Sequence, residues 1–167
     1  MQAKKHVLIA ISILALVAWL ALTLTQKPVA PQITLSTLDG KQIPLESLRG
    51  KVVLVNFWAT SCPGCVKEMP HLADTWRKYH QRGLEVVAVA MSYDPPEYVR
   101  NYTRQRALPF TVALDVDGKA AQAFNQVKLT PTTFIIGKDG HILQQTLGEL
   151  DFVTLHALLE QQLGDAS

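Results

Sequence analysis

The sequence predicts an α/β domain, a mixed sheet flanked by helices, set behind an apolar N-terminal segment. Three observations carry this. Residues 52–55 and, interrupted only by Glu85, residues 84–91 are apolar runs, the pattern of strands covered on both faces. Strand-like and helix-like stretches alternate through the chain and end in a hairpin and a helix, an order that suits helices packed on a mixed sheet. Residues 7–25 form a run of 19 without a charge, interrupted only by Ser12, Thr23 and Thr25.

That run is long enough to span a bilayer as a helix. Lys4 and Lys5 precede it and keep the N-terminus cytoplasmic, sending the rest across the membrane. A cleaved signal peptide is the competing reading. It has a shorter apolar core and a small-x-small site, and neither Thr25-Gln26-Lys27 nor Pro28-Val29-Ala30 supplies one. The expected organisation is a cytoplasmic tail at 1–6, a signal-anchor helix at 7–25, a linker at 26–32 stiffened by Pro28 and Pro31, and one domain at 33–167. All 14 acidic residues follow the anchor. Lys4, Lys5 and Lys27 are three of the 16 basic ones, which leaves 13 basic against 14 acidic residues, a net charge of −1. Nothing in this balance points to a nucleic-acid surface.

Within the domain, Ile33-Thr34-Leu35 and Ile43-Pro44-Leu45 flank Asp39-Gly40, a hairpin signal. A turn at 45–51 leads to the first apolar strand. The helix after it runs to about His80 with Val66, Met69, Leu72, Ala73 and Trp76 as its core face. Pro70 lies inside this helix and removes one backbone hydrogen bond, while His71 and His80 are expected at its surface. Beyond the strand at 84–91, Asp94 is expected to cap a helix with Pro95 at its first position and Glu97 at its third. Arg100, Arg104 and Arg106 give that helix a solvated face. A strand at 111–114, a turn at 115–118 and a short helix at 119–124 follow. Residues 132–136 and 141–146 pair antiparallel about Asp139-Gly140, and Asp151 caps a last helix whose Phe152, Leu155, Leu158, Leu159 and Leu163 face the sheet.

The chain has two cysteines, Cys62 and Cys65, in the stretch Phe57-Trp58-Ala59-Thr60-Ser61-Cys62-Pro63-Gly64-Cys65. A strand thus delivers both to the first turn of a helix. Unpaired backbone N–H groups and the positive end of the helix dipole favour thiolate there, and the thiolate is the species that attacks disulfides. As a structural staple the pair would close too small a loop to remove much unfolded-state entropy. A zinc site needs about four ligands, and His71 and His80 lack the spacing. A redox pair is the reading that remains.

Trp58-Ala59-Thr60-Ser61-Cys62-Pro63-Gly64-Cys65 resembles the thioredoxin active site, W-x-x-x-C-x-x-C, and Thr130-Pro131-Thr132-Thr133-Phe134 resembles that family's cis-proline loop with its following strand. With Leu84-Glu85-Val86-Val87-Ala88-Val89-Ala90 between them, residues 32–163 are similar to the membrane-anchored thioredoxin-like reductases of the TlpA/ResA/CcmG (DsbE) group. The resemblance implies a thioredoxin fold with an added N-terminal β-hairpin. It implies Cys62 as the exposed attacking thiol and Cys65 as the buried resolving thiol, with Pro63 and Gly64 tuning the redox poise. It implies Pro131 as the cis-proline, Thr130 as the backbone beside Cys62 that pairs with substrate, and Trp58 as support for the site; plain core packing stays open for Trp58.

The implied enzyme is an extracytoplasmic thiol–disulfide oxidoreductase, a protein disulfide reductase. Its redox group is the Cys62–Cys65 disulfide, with no cofactor and no metal. The implied clients are protein disulfides, with the haem-site thiols of apocytochrome c among them in cytochrome c maturation. The implied electron donor is a transmembrane thiol conduit of DsbD/CcdA type, and the implied place is the bacterial inner membrane, domain outward. A disulfide-forming oxidase on the same fold and a copper-handling module using the cysteine pair are the rival readings. The sequence also departs from the pattern. Asn56 stands where thioredoxin has a buried acid, Ser61 stands where relatives commonly have Trp, and Asp94 is an offset substitute for the acid that anchored relatives carry after the central strand. Asp94 is therefore read as a helix cap, with a proton-relay role toward Cys65 left open.

Overall fold

The computed structural model describes residues 13–17, 19–20 and 27–164. The expected anchor at 7–25 lies outside the described residues except for 13–17 and 19–20, which are helical and exposed. Among the described residues no helix is long and apolar enough to cross a membrane.

Seven strands form one sheet in the order β2-β1-β5-β4-β3-β6-β7. The strands are β1 (Thr34–Thr37), β2 (Gln42–Pro44), β3 (Val52–Trp58), β4 (Leu84–Ala90), β5 (Thr111–Leu114), β6 (Thr132–Ile136) and β7 (Ile142–Leu147). The helices are α1 (Pro63–Tyr79), α2 (Pro96–Arg106), α3 (Lys119–Ala123) and α4 (Phe152–Leu163). β3 pairs parallel with β4, from Val52 opposite Leu84 to Trp58 opposite Ala90, and antiparallel with β6. The sheet is therefore mixed, as the order of elements required. The β1–β2 hairpin extends it through antiparallel pairing of β1 with β5.

Every residue of β3 is buried, because the sheet is covered on both faces. Leu54 and Trp58 point to one face, where Cys65, Met69, Leu72 and Tyr79 of α1, Val99 of α2 and Leu155 and Leu159 of α4 complete the core. Val53, Val55 and Phe57 point to the other, beneath α3 and the turn at Leu45. There Phe57 meets Phe124 and Phe134 edge-on, with ring centroids 5.4 and 6.0 Å apart. The period of two along one buried strand thus divides the core into its two halves.

Two local features set how chain segments enter and leave this sheet. α1 runs on through a single 3-10 turn, His80–Arg82, and Gly83 at φ 101° closes it in the left-handed conformation before β4 begins. At the N-terminal side, Pro28 O accepts from Ile142 N at 2.7 Å and Ala30 N donates to Gly140 O at 2.9 Å. Residues 28–30, placed in the linker from sequence, thus run antiparallel beside the start of β7.

On the core face of α1, Leu72 is fully buried between the helix and the sheet. Leu72→Ala is expected to lower unfolding stability by about 2–5 kcal/mol through lost transfer energy and the cavity left behind. Urea denaturation followed by tryptophan fluorescence measures this; a loss below half a kilocalorie would mean that the site collapses around the gap.

Candidate active site

β3 ends at Trp58, the chain turns through Ala59-Thr60-Ser61, and Cys62 becomes the N-cap of α1. Cys62 and Cys65 are joined in a disulfide, with Cα atoms 5.3 Å apart. Cys62 is partly exposed and Cys65 fully buried. Cys65 N also donates to Cys62 Sγ at 3.2 Å, so the sulfur already occupies the place of a capping acceptor. An anion on that sulfur faces the free N–H groups of the first turn. Pro63 starts the helix at no cost in hydrogen bonds, because its missing N–H would be unpaired there anyway.

Two loops hold this turn from either side. On one side Asp94, 5% exposed, accepts from Thr60 N and from Thr60 Oγ1, both at 2.6 Å. This corrects the expectation that Asp94 caps the following helix. Pro96 disfavours the helical conformation for the residue before it, so Pro95 is extended, at ψ 128°, and is itself the N-cap, without a side-chain bond. The helix then starts one residue late, Glu97 stands at its second position, and Asp94 is turned back onto the loop that precedes Cys62. Next to it, Tyr93 Oη lies 3.3 Å from Thr130 Oγ1.

On the other side, three successive residues after β7 each touch a different part of the site. Gly148 N donates to Pro131 O at 2.8 Å. Glu149 forms an ion pair with Lys67 Nζ at 2.7 Å and lies over Gly64, with Cγ and Oε1 3.3 Å from where a Cβ on that glycine would stand. Leu150 N donates to Glu68 Oε2 at 3.1 Å. The Thr130–Pro131 peptide is cis, Thr130 is half-buried and Pro131 buried. The proline loop is therefore tied to both loops that grip the cysteine turn. Trp58 is fully buried with its ring 5.3 Å from that of Tyr102, so it supports the turn from inside the core.

Sequence reasoning missed Glu68. It is 2% exposed, one helical turn from Cys65, and accepts from Asn56 Nδ2 at 2.8 Å as well as from Leu150 N. Asn56 Nδ2 also donates to Thr133 Oγ1 at 2.9 Å. Burial pushes the Glu68 carboxyl above the usual range, and hydrogen bonds from Leu150 and Asn56 only partly offset it. So the strand carries a buried amide, Asn56, and the neighbouring helix supplies the buried carboxyl bonded to it. The signal was present: 65, 68, 69 and 72 repeat at helical spacing, and Glu68 stands on that inward face while Val66, expected in the core, is only partly buried. Among the described residues no group of three or more His, Cys, Asp or Glu side chains is arranged to hold a metal ion.

The raised Glu68 carboxyl has a consequence for stability. Between its ordinary value of 4.5 and the raised one, the folded chain binds a proton that the unfolded chain has released, so stability falls as pH rises through that window. Urea midpoints measured across this range should show the decline in the native chain and a flatter profile in Glu68→Gln. Equal slopes in both would assign the effect elsewhere.

Residues 27–145 match the AhpC/TSA family. The thiol-disulfide oxidoreductase ResA of Bacillus thuringiensis subsp. konkukian is 38% identical over 120 residues, which are 72% of this chain and 68% of that protein. Among solved structures, a Neisseria meningitidis protein assigned as a thioredoxin is similar with a TM-score of 0.76 at 42% identity, over 82% of this chain and 91% of its own. A thiol:disulfide interchange protein of the thioredoxin family from Chlorobium tepidum TLS has a TM-score of 0.76 at 27% identity, over 84% of this chain and 99% of its own. The sheet and its helices are thus a thioredoxin fold. The chain belongs to the AhpC/TSA family, as a thioredoxin-like thiol–disulfide oxidoreductase of the ResA kind.

Proposed function

We propose that the chain reduces protein disulfides outside the cytoplasm while tethered to the membrane by residues 7–25. The observation that carries this is the asymmetry of the pair: Cys62 is partly exposed at the N-cap of α1, and Cys65 is fully buried one turn later. An incoming disulfide can reach Cys62 alone. The Cys62 thiolate attacks one sulfur, the other leaves as a thiolate and takes up a proton, and a mixed disulfide forms. Cys65, having lost its proton, then attacks Cys62 Sγ, which releases the client as a dithiol and closes the Cys62–Cys65 bond. Two electrons pass from the pair to the client. Glu68, buried one turn from Cys65 on α1 and holding its proton above the usual range, is the group we assign to exchange a proton there.

Thr130 and Pro131 present the backbone on which an extended client segment pairs as an added strand. Pro63 and Gly64 place no donor or positive charge beside Cys62, which leaves its thiolate less favoured than a histidine would and supports a reducing potential. Electrons return from a transmembrane thiol conduit of DsbD/CcdA type, and apocytochrome c thiols are the client class that the resemblance favours. Tethering raises the effective concentration of both membrane-bound partners.

Equilibration of the full-length chain with glutathione or dithiothreitol buffers should give a potential at or below that of thioredoxin. A value near that of DsbA would make the protein an oxidase. Cys65→Ser should accumulate a mixed disulfide at Cys62, detectable by mass spectrometry, and Cys62→Ser should reduce disulfide exchange to the uncatalysed background.

A further inference from the structure

Glu149 is an acidic side chain that lies against the outer side of the cysteine turn, at Gly64. Its Cγ and Oε1 lie 3.3 Å from the position of a Cβ on Gly64, and Lys67 Nζ holds its carboxylate at 2.7 Å. The flanking backbone leaves it little freedom, because Gly148 N is bonded to Pro131 O and Leu150 N to Glu68. An exposed ion pair of this kind adds little to stability. Its position next to the redox turn calls for another account.

The charged and titratable groups packed around the turn are Lys67 and Glu68 from α1, Tyr93 and Asp94 from the loop after β4, Tyr102 from α2, and Glu149. Asp94 spends both oxygens on Thr60, and Glu68 is enclosed and bonded to Asn56 and Leu150. The carboxylate of Glu149, roughly half exposed, is the negative charge that lies against Gly64, between the two cysteines, on the outer side of the turn. Burial comes first among the causes that hold Glu68 high, but the Glu149 charge adds to them, so its field reaches the interior of the site as well.

We propose that Glu149 is a positioning residue that keeps the enzyme reducing: held by Lys67 over Gly64, its charge opposes the helix N-terminus and disfavours the Cys62 thiolate. This rests on the reading of Cys62 as the attacking thiol. A less favoured thiolate makes the dithiol form less stable and the pair a stronger electron donor. Gly64 suits the same arrangement: a Cβ there would stand 3.3 Å from the Glu149 Cγ and Oε1, so that side chain would have to give way slightly. The ion pair also moderates the effect, since the Lys67 charge next to the same turn favours the thiolate.

The test is the pH profile of iodoacetamide alkylation in the reduced full-length chain, with Cys62 and Cys65 followed separately by mass spectrometry, together with the reduction potential. Glu149→Gln should lower the Cys62 midpoint, raise its alkylation rate near pH 6.5 by about two- to fivefold, and make the potential less negative. Glu149→Asp, which keeps the charge, should stay near the native profile. Gly64→Ala should move in the direction of Glu149→Gln, and adding Lys67→Gln to Glu149→Gln should move the midpoint back up. An unmoved Cys62 midpoint in Glu149→Gln, with Cys62 still the faster thiol, overturns the proposal alone. Faster alkylation of Cys65 in the native chain removes the assignment of the attacking thiol and the proposal with it.

Discussion

The packing of α1 across β3 is the constraint on which the rest depends. β3 is buried along its whole length, so both faces of the sheet need cover, and α1 supplies most of one face through Met69, Leu72 and Tyr79. A helix fixed by that much apolar contact cannot shift its first turn. Cys62 is therefore held at a helix N-terminus with its sulfur on the Cys65 amide, and Cys65 is drawn into the core beside Met69. The difference between a partly exposed and an enclosed cysteine follows from where a hydrophobic helix has to lie.

That arrangement places a polar cluster inside an apolar layer. Glu68 shares the inward face of α1 and would be costly to bury alone. Asn56 and the Leu150 amide satisfy it, and Thr133 takes the second hydrogen of the Asn56 amide. The same contacts join β3, β6, α1 and the segment leading into α4, so the buried carboxyl also fixes how the last helix returns to the site. Asp94 does comparable work at the rim, where it binds the loop before Cys62 to the loop after β4. The same few carboxylates thus anchor the segments that surround the cysteine turn.

Much of the architecture was legible in the chain, because hydrophobic period and turn chemistry are local. The alternation of elements, the apolar strands at 52–58 and 84–90, the Asp39-Gly40 hairpin and the Asp151 cap all follow from residues near one another in sequence. Asp94 shows where local reasoning fails. Its spacing to the prolines reads as a cap, yet two adjacent prolines move the helix start by one residue, and a loop 34 residues earlier offers it two donors.

What the sequence by itself determined was the redox pair, its delivery by a strand to a helix start, and the class of fold around it. Those depend on neighbours within one or two turns of chain. Tertiary structure alone decided which acid is buried and which lies on the surface. Glu68, Asp94 and Glu149 are alike as residue types, and they differ only in the partners that distant segments bring: Asn56 and Leu150 around the first, Thr60 around the second, Lys67 and Gly64 around the third. A carboxylate's protonation and reach are set by desolvation and by donors in space, and neither is written in the residue or its spacing.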